Sequence, residues 1–425
     1  MKLSIDLKKA SSIAIGLVLF YAFATRSVIG PLIFRGFISI CYYAIMYALL
    51  VFCFVSSFCS VNGRGIYAPS GFFSLFLVSM VIAFGLFRGD SLGSFRYYGI
   101  AILCPFALLP QIKQSRRVPI AFVIIGIVLF VGCLINYLFP VVYTALIMKF
   151  FTQSSIESIE WQLSLGSYYP GFTSQVGYTS FFISTAMGAL FCFRKEIFGK
   201  AFLPLTMVLF LGMLFTGKRG PIVYLLLALI AVFYFESKGN QRLLRPFQII
   251  GIVIGAYFAL AALNALGIQI GGIERIYNSI NEFLFTGDID DAGRDQLHEQ
   301  AMLYFEQSPV FGIGWNNFMK MFTLRNTHCH NIYYQLLCET GIVGFSVFIF
   351  FFVTRIIGTI KKLNLSIYME MKEAPWLKLS LFIQVFFLLY GFSGNPLYDI
   401  EETILYFFAV GISFLPQDKR TISFE

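Results

Sequence analysis

Apolar residues in this chain come in long runs that are separated by short polar connections. A helix that crosses a bilayer needs roughly 20 apolar residues, so each run predicts a transmembrane helix. The pattern predicts an all-α integral membrane protein with about twelve such helices. We place them at 11–30, 36–56, 71–88, 97–112, 119–138, 176–193, 201–216, 221–235, 247–266, 336–354, 377–393 and 400–415.

Two connections are too long to be simple turns. The first, 139–175, combines a Trp with several Tyr and predicts an interfacial segment at headgroup level. The second, 267–335, is the largest polar stretch of the chain. Helical spacing of its apolar residues predicts one helix over 273–284 and another from Arg294 to Gln307.

Lys and Arg in short connections set the orientation, because they accumulate on the cytoplasmic side of a membrane. With the N-terminus inside, the basic connections at 113–117, 194–200, 238–245 and 355–378 all fall in the cytoplasm. The long polar connection then lies outside, between the ninth and tenth helices. We therefore expect three parts: helices 1–9 at 1–266, the outer loop at 267–335, and helices 10–12 with a cytoplasmic tail at 336–425.

Composition agrees with a membrane protein and narrows its partners. The chain is 58% hydrophobic and 12% charged, against about 25% charged residues in soluble proteins. Its net charge of +9 is scattered over short loops, which favours membrane topology and an anionic substrate over nucleic acid. Several cysteines lie in apolar runs, where Cys behaves as a small hydrophobe, so no disulfide framework is expected. They are Cys41, Cys53, Cys104, Cys133 and Cys192.

Lys218 and Arg219 lie in a very short outer turn between two predicted spans. An arginine there is costly unless it faces a polar cavity or a partner. Its planar fork suits a diphosphate, and Pro221 in the first helical turn leaves neighbouring amides aimed at the same spot. The alternative is an arginine that only extends to the membrane interface.

Arg294 follows Gly293 and opens the second predicted helix of the outer loop. The positive end of the helix dipole adds to the guanidinium charge, which predicts an anion site. The alternative is a local ion pair with Asp290 or Asp291.

Two of the three histidines, His328 and His330, lie at the end of the outer loop, just before an apolar run. A neutral imidazole can take a proton from an alcohol, and Asn331 could orient an acceptor hydroxyl or sugar. A helix that starts near His330 would carry one stripe of residues along a single face. The stripe comprises His330, Tyr334, Leu337, Gly341 and Gly344, and its glycines would allow a neighbouring helix to approach closely.

Simpler interpretations of this segment remain open. His330 could be a capping residue at the membrane interface. His328, Cys329 and His330 are consecutive and cannot point together at one ion, so we expect no metal site. Glu339 falls on the opposite helix face from His330 and is expected to satisfy a polar group between helices.

These residues together form a signature that resembles the C-terminal part of the O-antigen ligase and polymerase superfamily. The spacing from His330-Asn331 across nine residues to Gly341-x-x-Gly344 is its most specific element. The twelve-span pattern with a long outer loop is similar as well, whereas the N-terminal half matches in topology only. His298 stands where the family often has Trp, and Gly217 and Lys218 replace small hydroxyl residues. The signature comprises Arg294, Phe305, Pro309, Gly312-Ile313-Gly314, Phe318, His330, Asn331, Gly341 and Gly344.

The resemblance implies a metal-independent, inverting glycosyltransferase of the bacterial inner membrane, with its active site facing the periplasm and no cofactor. The donor would be a glycan on undecaprenyl diphosphate. His330 corresponds to the family's catalytic base, and Arg219 and Arg294 to the arginines that hold the diphosphate. We expect Lys218 and Asn331 to contribute to substrate binding. Two guanidiniums can neutralise the charge that develops on the leaving group without a metal.

The acceptor is a second lipid-linked glycan in a polymerase and the lipid A core in a ligase. We expect a polymerase that builds O-antigen or capsule, with a chain-length regulator protein as a further partner, because polysaccharide gene clusters supply many divergent polymerases. A ligase is the alternative. A lipid-linked oligosaccharide flippase would need charged residues inside its spans. Here the outer loop instead holds all three histidines, His298, His328 and His330.

Overall fold

The computed structural model describes residues 72–88, 116–239, 241–265, 294–321 and 327–414, with positions 14, 16–18, 23, 27–28, 47–49, 51, 99 and 277–278. Within these residues the chain is helical and forms no β-strand, only an isolated bridge between Ser27 and Thr173. The all-α class is therefore confirmed for this part. The spans predicted at 11–30, 36–56 and 97–112, and the loop helix at 273–284, fall almost entirely outside the described residues.

The longer helices are labelled in chain order. They are α1 (Phe72–Arg88), α2 (Arg117–Leu138), α3 (Gln153–Ser164), α4 (Val176–Cys192), α5 (Phe202–Phe215), α6 (Arg219–Phe235), α7 (Gln241–Ala265), α8 (Asp295–Gln307), α9 (Ile332–Tyr368), α10 (Ala374–Tyr390) and α11 (Ile400–Ser413). Shorter helical stretches cover Pro140–Phe150, Arg194–Ala201 and Phe318–Met321.

Three helical stretches of the described chain are long and apolar enough to cross a membrane: Arg117–Leu138, Arg194–Phe215 and Ile332–Tyr368. Helices α7 and α11, which match two further predicted spans, are not among the candidates by length and composition. The number of twelve spans stays a prediction. Shorter apolar helices lie at Phe73–Gly85, Pro140–Phe150, Val176–Cys192, Arg219–Phe235 and Ala374–Tyr390.

Helix α9 differs most from its prediction. It begins at Ile332 and runs to Tyr368, well past the predicted end at residue 354. The prediction treated the basic stretch after Arg355 as a connection, but Arg355, Thr359 and Leu363 are buried at helical spacing. The helix is also interrupted at Gly341, whose backbone has φ 65° and ψ −175°.

Contacts between different helices define two opposite ends of the described bundle. At the first, Ile332 N at the start of α9 donates to Gly391 O after α10, at 2.9 Å. There too, Tyr178 near the start of α4 donates to Asp399 at the start of α11, at 2.9 Å. At the opposite end, Glu236 after α6 pairs with Arg194 after α4. We call these the His330 end and the Glu236 end.

Helix α4 lies in the middle of the described bundle. Nearly all of its residues are buried, as expected for a helix that is surrounded on every side. Two of its buried hydroxyls bond within the helix: Ser184 Oγ donates to Ser180 O at 2.7 Å, and Thr185 Oγ1 to Phe181 O at 3.0 Å. A satisfied hydroxyl can be buried at little cost. The bundle is therefore closed around α4, and two polar side chains near its start bond to other segments: Tyr178 donates to Asp399, and Thr179 Oγ1 donates to Pro170 O.

Candidate functional site

His330 precedes α9 and is not part of it. Its backbone is left-handed, with φ 57°, and Asn331 is the N-cap: its side-chain oxygen accepts from Tyr333 N at 2.9 Å and Tyr334 N at 3.3 Å. The predicted stripe from His330 through Gly341 along one continuous helix is therefore wrong. A positive φ is costly for a residue with a side chain and is often found where a site requires it.

The start of α9 is pinned to the end of α10. Besides the Ile332–Gly391 bond, Asn331 Nδ2 donates to Phe392 O at 3.4 Å. A side chain at Gly391 would collide with the Ile332 side chain, so this close approach requires glycine. These contacts hold the peptide of His330 against a second helix end.

A buried polar network supports the segment from beneath. Gln335 Nε2 donates to His328 Nδ1 at 2.9 Å and to Glu339 Oε1 at 3.1 Å, while Gln335 Oε1 accepts from Cys329 N at 3.1 Å. Glu339 also accepts from Asn316 N at 2.7 Å and Phe318 N at 3.0 Å. Glu339 thus satisfies backbone donors of the segment before α9 and Gln335 of its own helix, whereas the prediction placed its partner between helices.

The side chains of His328, Cys329 and His330 point to different neighbours. His328 contacts Gln335, Cys329 Sγ lies 3.7 Å from Leu297 O in α8, and His330 Nε2 lies 3.3 Å from Thr327 Oγ1. Burial raises the pKa of the Cys329 thiol to about 12, so this cysteine is a neutral core residue.

The glycines of the signature form an interlock between α9 and the loop before it. Gly312 and Gly341 both have positive φ, and a side chain on either would collide with the backbone of the other segment. Because α9 is interrupted, the carbonyls of Cys338 and Glu339 accept from Ile313 N and Gly314 N, each at 2.9 Å. Gly341 therefore contacts this loop. The prediction that it would contact a neighbouring helix is wrong.

Gly344 behaves as predicted. A side chain there would meet Val81 of α1, so the glycine allows α1 to approach α9 closely.

Arg294 is the N-cap residue directly before α8, within one residue of the predicted start, and the helix ends at Gln307 before Ser308. The buried face of α8 carries Leu297, Ala301 and Tyr304, which pack against Phe318, Cys329 and Cys338. His298, one turn into the helix, stacks on Tyr334 with 4.8 Å between ring centroids. The alternative ion-pair partners of Arg294, Asp290 and Asp291, lie outside the described residues.

Positive charges from two distant segments surround His330. Its pKa is lowered from 6.5 to about 3, first by burial and then by the charges of Arg294 and Lys218, together with His328 and His298. At neutral pH the imidazole therefore carries no charge. The structure thus brings together three of the predicted residues, from the α5–α6 turn, the start of α8 and the start of α9.

The turn before α6 is built to hold its basic residues at the His330 end. Gly217 has φ 65° and packs so closely on Ser167 that no side chain would fit. Lys218 Nζ lies 5.7 Å from the ring of Tyr168, and Arg219 follows as the first residue of α6, half-buried. Arg219 therefore lies one residue from a charge that acts on His330.

Several polar groups at this end are not among the predicted site residues. The carboxylates of Asp399 and Glu402 lie near Tyr390, as does the predicted Arg294. Asp399 also accepts from Tyr178, as described above. The acids could have been noticed, because carboxylates at the start of an apolar run are expensive in a membrane and usually have a partner.

The site combines a neutral imidazole with cationic side chains and helix N-termini. Such a set can hold an anion with more than one charge while an uncharged base lies beside it. A cluster of three or more side chains suited to a metal ion is absent from the described part of the chain.

The comparisons with known proteins agree with this arrangement. Residues 204–349 match the family described as O-antigen ligase. The match runs from α5 into α9 and includes Lys218, Arg219, Arg294, His330 and Asn331. No curated protein matches the chain. This part of the chain is therefore similar to the O-antigen ligase family, and the apolar helices indicate a multi-pass membrane protein.

Proposed function

We propose that this protein is a glycosyltransferase that polymerises oligosaccharide repeat units carried on undecaprenyl diphosphate. The observation that supports it most is the approach of Arg294 and Lys218 to an uncharged His330. The similarity of residues 204–349 to the O-antigen ligase family supports a glycosyl transfer reaction on lipid-linked glycans, with the donor diphosphate as the anion.

The diphosphate would lie between the starts of α6 and α8. Arg219 and Arg294 each offer a fork of N–H donors for phosphate oxygens, and Lys218 adds a point charge. Both arginines are placed where a helix begins, so the amides of the first turn add to the same positive potential.

His330 would act as the general base. Its imidazole takes the proton of an acceptor hydroxyl while that oxygen attacks the anomeric carbon of the donor sugar. The bond between that carbon and the phosphate oxygen breaks, and its electron pair leaves with undecaprenyl diphosphate. The configuration at the carbon inverts. Arg219, Arg294 and Lys218 stabilise the charge that grows on the leaving group.

Asn331 supports the site as the N-cap residue of α9. Its oxygen is used by Tyr333 N and Tyr334 N, which fixes the peptide that carries His330. The predicted contact of Asn331 with an acceptor sugar stays a prediction.

We infer that the His330 end faces the periplasm of a bacterial inner membrane. Basic residues gather at the Glu236 end, where Arg194, Lys238 and Arg245 lie, and such residues accumulate on the cytoplasmic side. In this arrangement the loop at 267–335 is the catalytic loop between the helices of 1–266 and 336–425, and a chain-length regulator could reach the product.

Reconstitution of the purified protein tests the proposal. With lipid-linked repeat units as the only substrate, a polymerase lengthens the glycan, whereas a ligase forms product only when lipid A core is added. His330→Gln should abolish the product. Absence of any glycosyl transfer, together with lipid-linked glycan crossing vesicle membranes, would instead support the flippase alternative.

A further inference from the structure

A cavity of about 510 Å³ opens at the Glu236 end, at the opposite end of α6 from Lys218 and Arg219. Its charged lining residues are Arg194, Lys195, Glu236, Lys238, Arg245 and Lys378. We propose that this cavity binds the phosphate of an anionic phospholipid headgroup.

The lining carries a clear excess of positive charge. The only acid among the lining residues, Glu236, is shared: Oε1 lies 2.6 Å from Arg194 Nη2, and Oε2 lies 3.0 Å from Lys378 Nζ. Glu236 is only 7% exposed, so it cannot neutralise more distant lysines by turning towards them. One carboxylate between two cations leaves a net positive charge, to which Lys195 and Arg245 add.

Arg245 is held in place by an aromatic ring. Its guanidinium lies 3.7 Å from the centroid of the Phe233 ring, which is itself part of the lining. Stacking of this kind orients the guanidinium while leaving its N–H groups available at the edge. Lys238 forms a surface ion pair with Glu370 at 3.1 Å, which is exposed and therefore weak.

The surroundings favour a lipid over a soluble phosphate. The cavity lies where α4, α6 and α10, three apolar helices, meet the start of α7. Beside it α7 exposes 73% of Leu243 and 72% of Phe247, which would cost free energy in water. A phospholipid satisfies both features, because its phosphate can enter the basic cavity while its acyl chains cover the apolar face of α7. Basic pockets between membrane helices bind anionic headgroups in this way.

This site is separate from the proposed reaction. Helix α6 has 17 residues and is therefore about 25 Å long, so the two anion sites lie at opposite membrane faces. A lipid bound here would connect α4, α6, α7 and α10, and it would do so whether or not glycosyl transfer takes place at the His330 end.

The test uses the full chain, purified in detergent and titrated with short-chain phosphatidylglycerol or phosphatidylcholine while lipid retention is followed by native mass spectrometry. The wild type should retain phosphatidylglycerol and not phosphatidylcholine. Lys195→Gln/Arg245→Gln should weaken phosphatidylglycerol binding at least about tenfold, since two charge-assisted contacts are lost. The matched control is Lys200→Gln/Lys372→Gln, which removes two exposed lysines outside the cavity and should change binding less than about twofold.

Equal binding by the wild type and the cavity variant would overturn the proposal. Inorganic phosphate that stabilises the wild type against heat, with no effect of phosphatidylglycerol, would overturn the lipid assignment in favour of a soluble anion. Lys195→Glu alone serves if the double variant does not fold, because Lys195 is exposed; unchanged phosphatidylglycerol retention in that variant would equally contradict the site.

Discussion

His330 is unusual for a histidine because its positively charged form is disfavoured by its surroundings. Its pKa of about 3 keeps the imidazole neutral throughout the range in which other histidines titrate. The imidazole next to Arg294 and Lys218 is therefore neutral and can accept a hydrogen bond from an acceptor hydroxyl, but a pKa this low makes it a weak base until a bound diphosphate offsets the charges of the cations.

We therefore expect that the activity shows no loss near pH 6.5, where an ordinary histidine becomes protonated. The base must be neutral, and neutrality is lost only as pH falls towards about 3. Measured as kcat/KM at low donor concentration, which reports the free enzyme, activity should stay flat between pH 8 and pH 5. A fall with an apparent pKa near 6.5 would show that His330 is not the base or is not held as described.

The same residue should affect folding stability. Its folded-state pKa lies below its unfolded value, so the unfolded chain binds the proton first and acid favours unfolding. The contribution to stability is complete above pH 6.5 and is lost as pH falls towards about 3. The melting temperature of His330→Gln should thus fall less than that of the wild type between pH 6.5 and 4. Parallel curves for the two proteins would contradict this.

Arg219 and Arg294 should not tolerate lysine. Arg219→Lys and Arg294→Lys keep the charge but lose the bidentate fork, so each should lower kcat/KM by about tenfold or more. Arg116→Lys, an exposed arginine before α2, is the matched control and should be neutral. Full activity in Arg219→Lys and Arg219→Ala alike would show that this arginine is only an interface anchor.

Among the elements, the loop over 309–314 and α9 depend on each other. Gly312→Ala and Gly341→Ala each place a side chain at positive φ and against the backbone of the other segment. Each should cost about 1–3 kcal/mol or more and lower the melting temperature measurably. Gly358→Ala is the control in the same helix: nothing lies within 4 Å of its added methyl, so it should be neutral or stabilising. Wild-type melting temperatures for Gly312→Ala and Gly341→Ala would show that the interlock is not tight.

Many of the helices could be predicted from the sequence, and the predictions that failed did so for physical reasons. Long apolar runs predicted α2, α4, α5 and α6 within a few residues, because composition alone marks a membrane helix. The interruption at Gly341 could not be predicted, since the carbonyls it frees, those of Cys338 and Glu339, are satisfied by Ile313 and Gly314, 25 positions earlier in each case. Asp399 and Tyr178 escaped for the same reason: their contact joins residues 221 positions apart.

At the scale of the whole molecule, every site assignment depends on the side of the membrane. If the His330 end is periplasmic, alkaline phosphatase fused after residue 218 or 290 should be active, and fused after residue 238 it should be inactive. Activity at only one of 218 and 290 would separate Arg219 from Arg294 across a hydrocarbon layer of roughly 30 Å and remove the shared site.

The interruption of α9 also decides what can be exchanged between relatives of this protein. The freed carbonyls of Cys338 and Glu339 have their donors at Ile313 and Gly314. In a chimera that takes the outer loop from one parent and α9 from another, the donors and the acceptors of these hydrogen bonds would come from different parents. The smallest segment that should be exchanged as a unit at the His330 end therefore runs from Arg294 through Gly344. We expect chimeras with altered acceptor preference to fold only when their crossover points lie outside this segment.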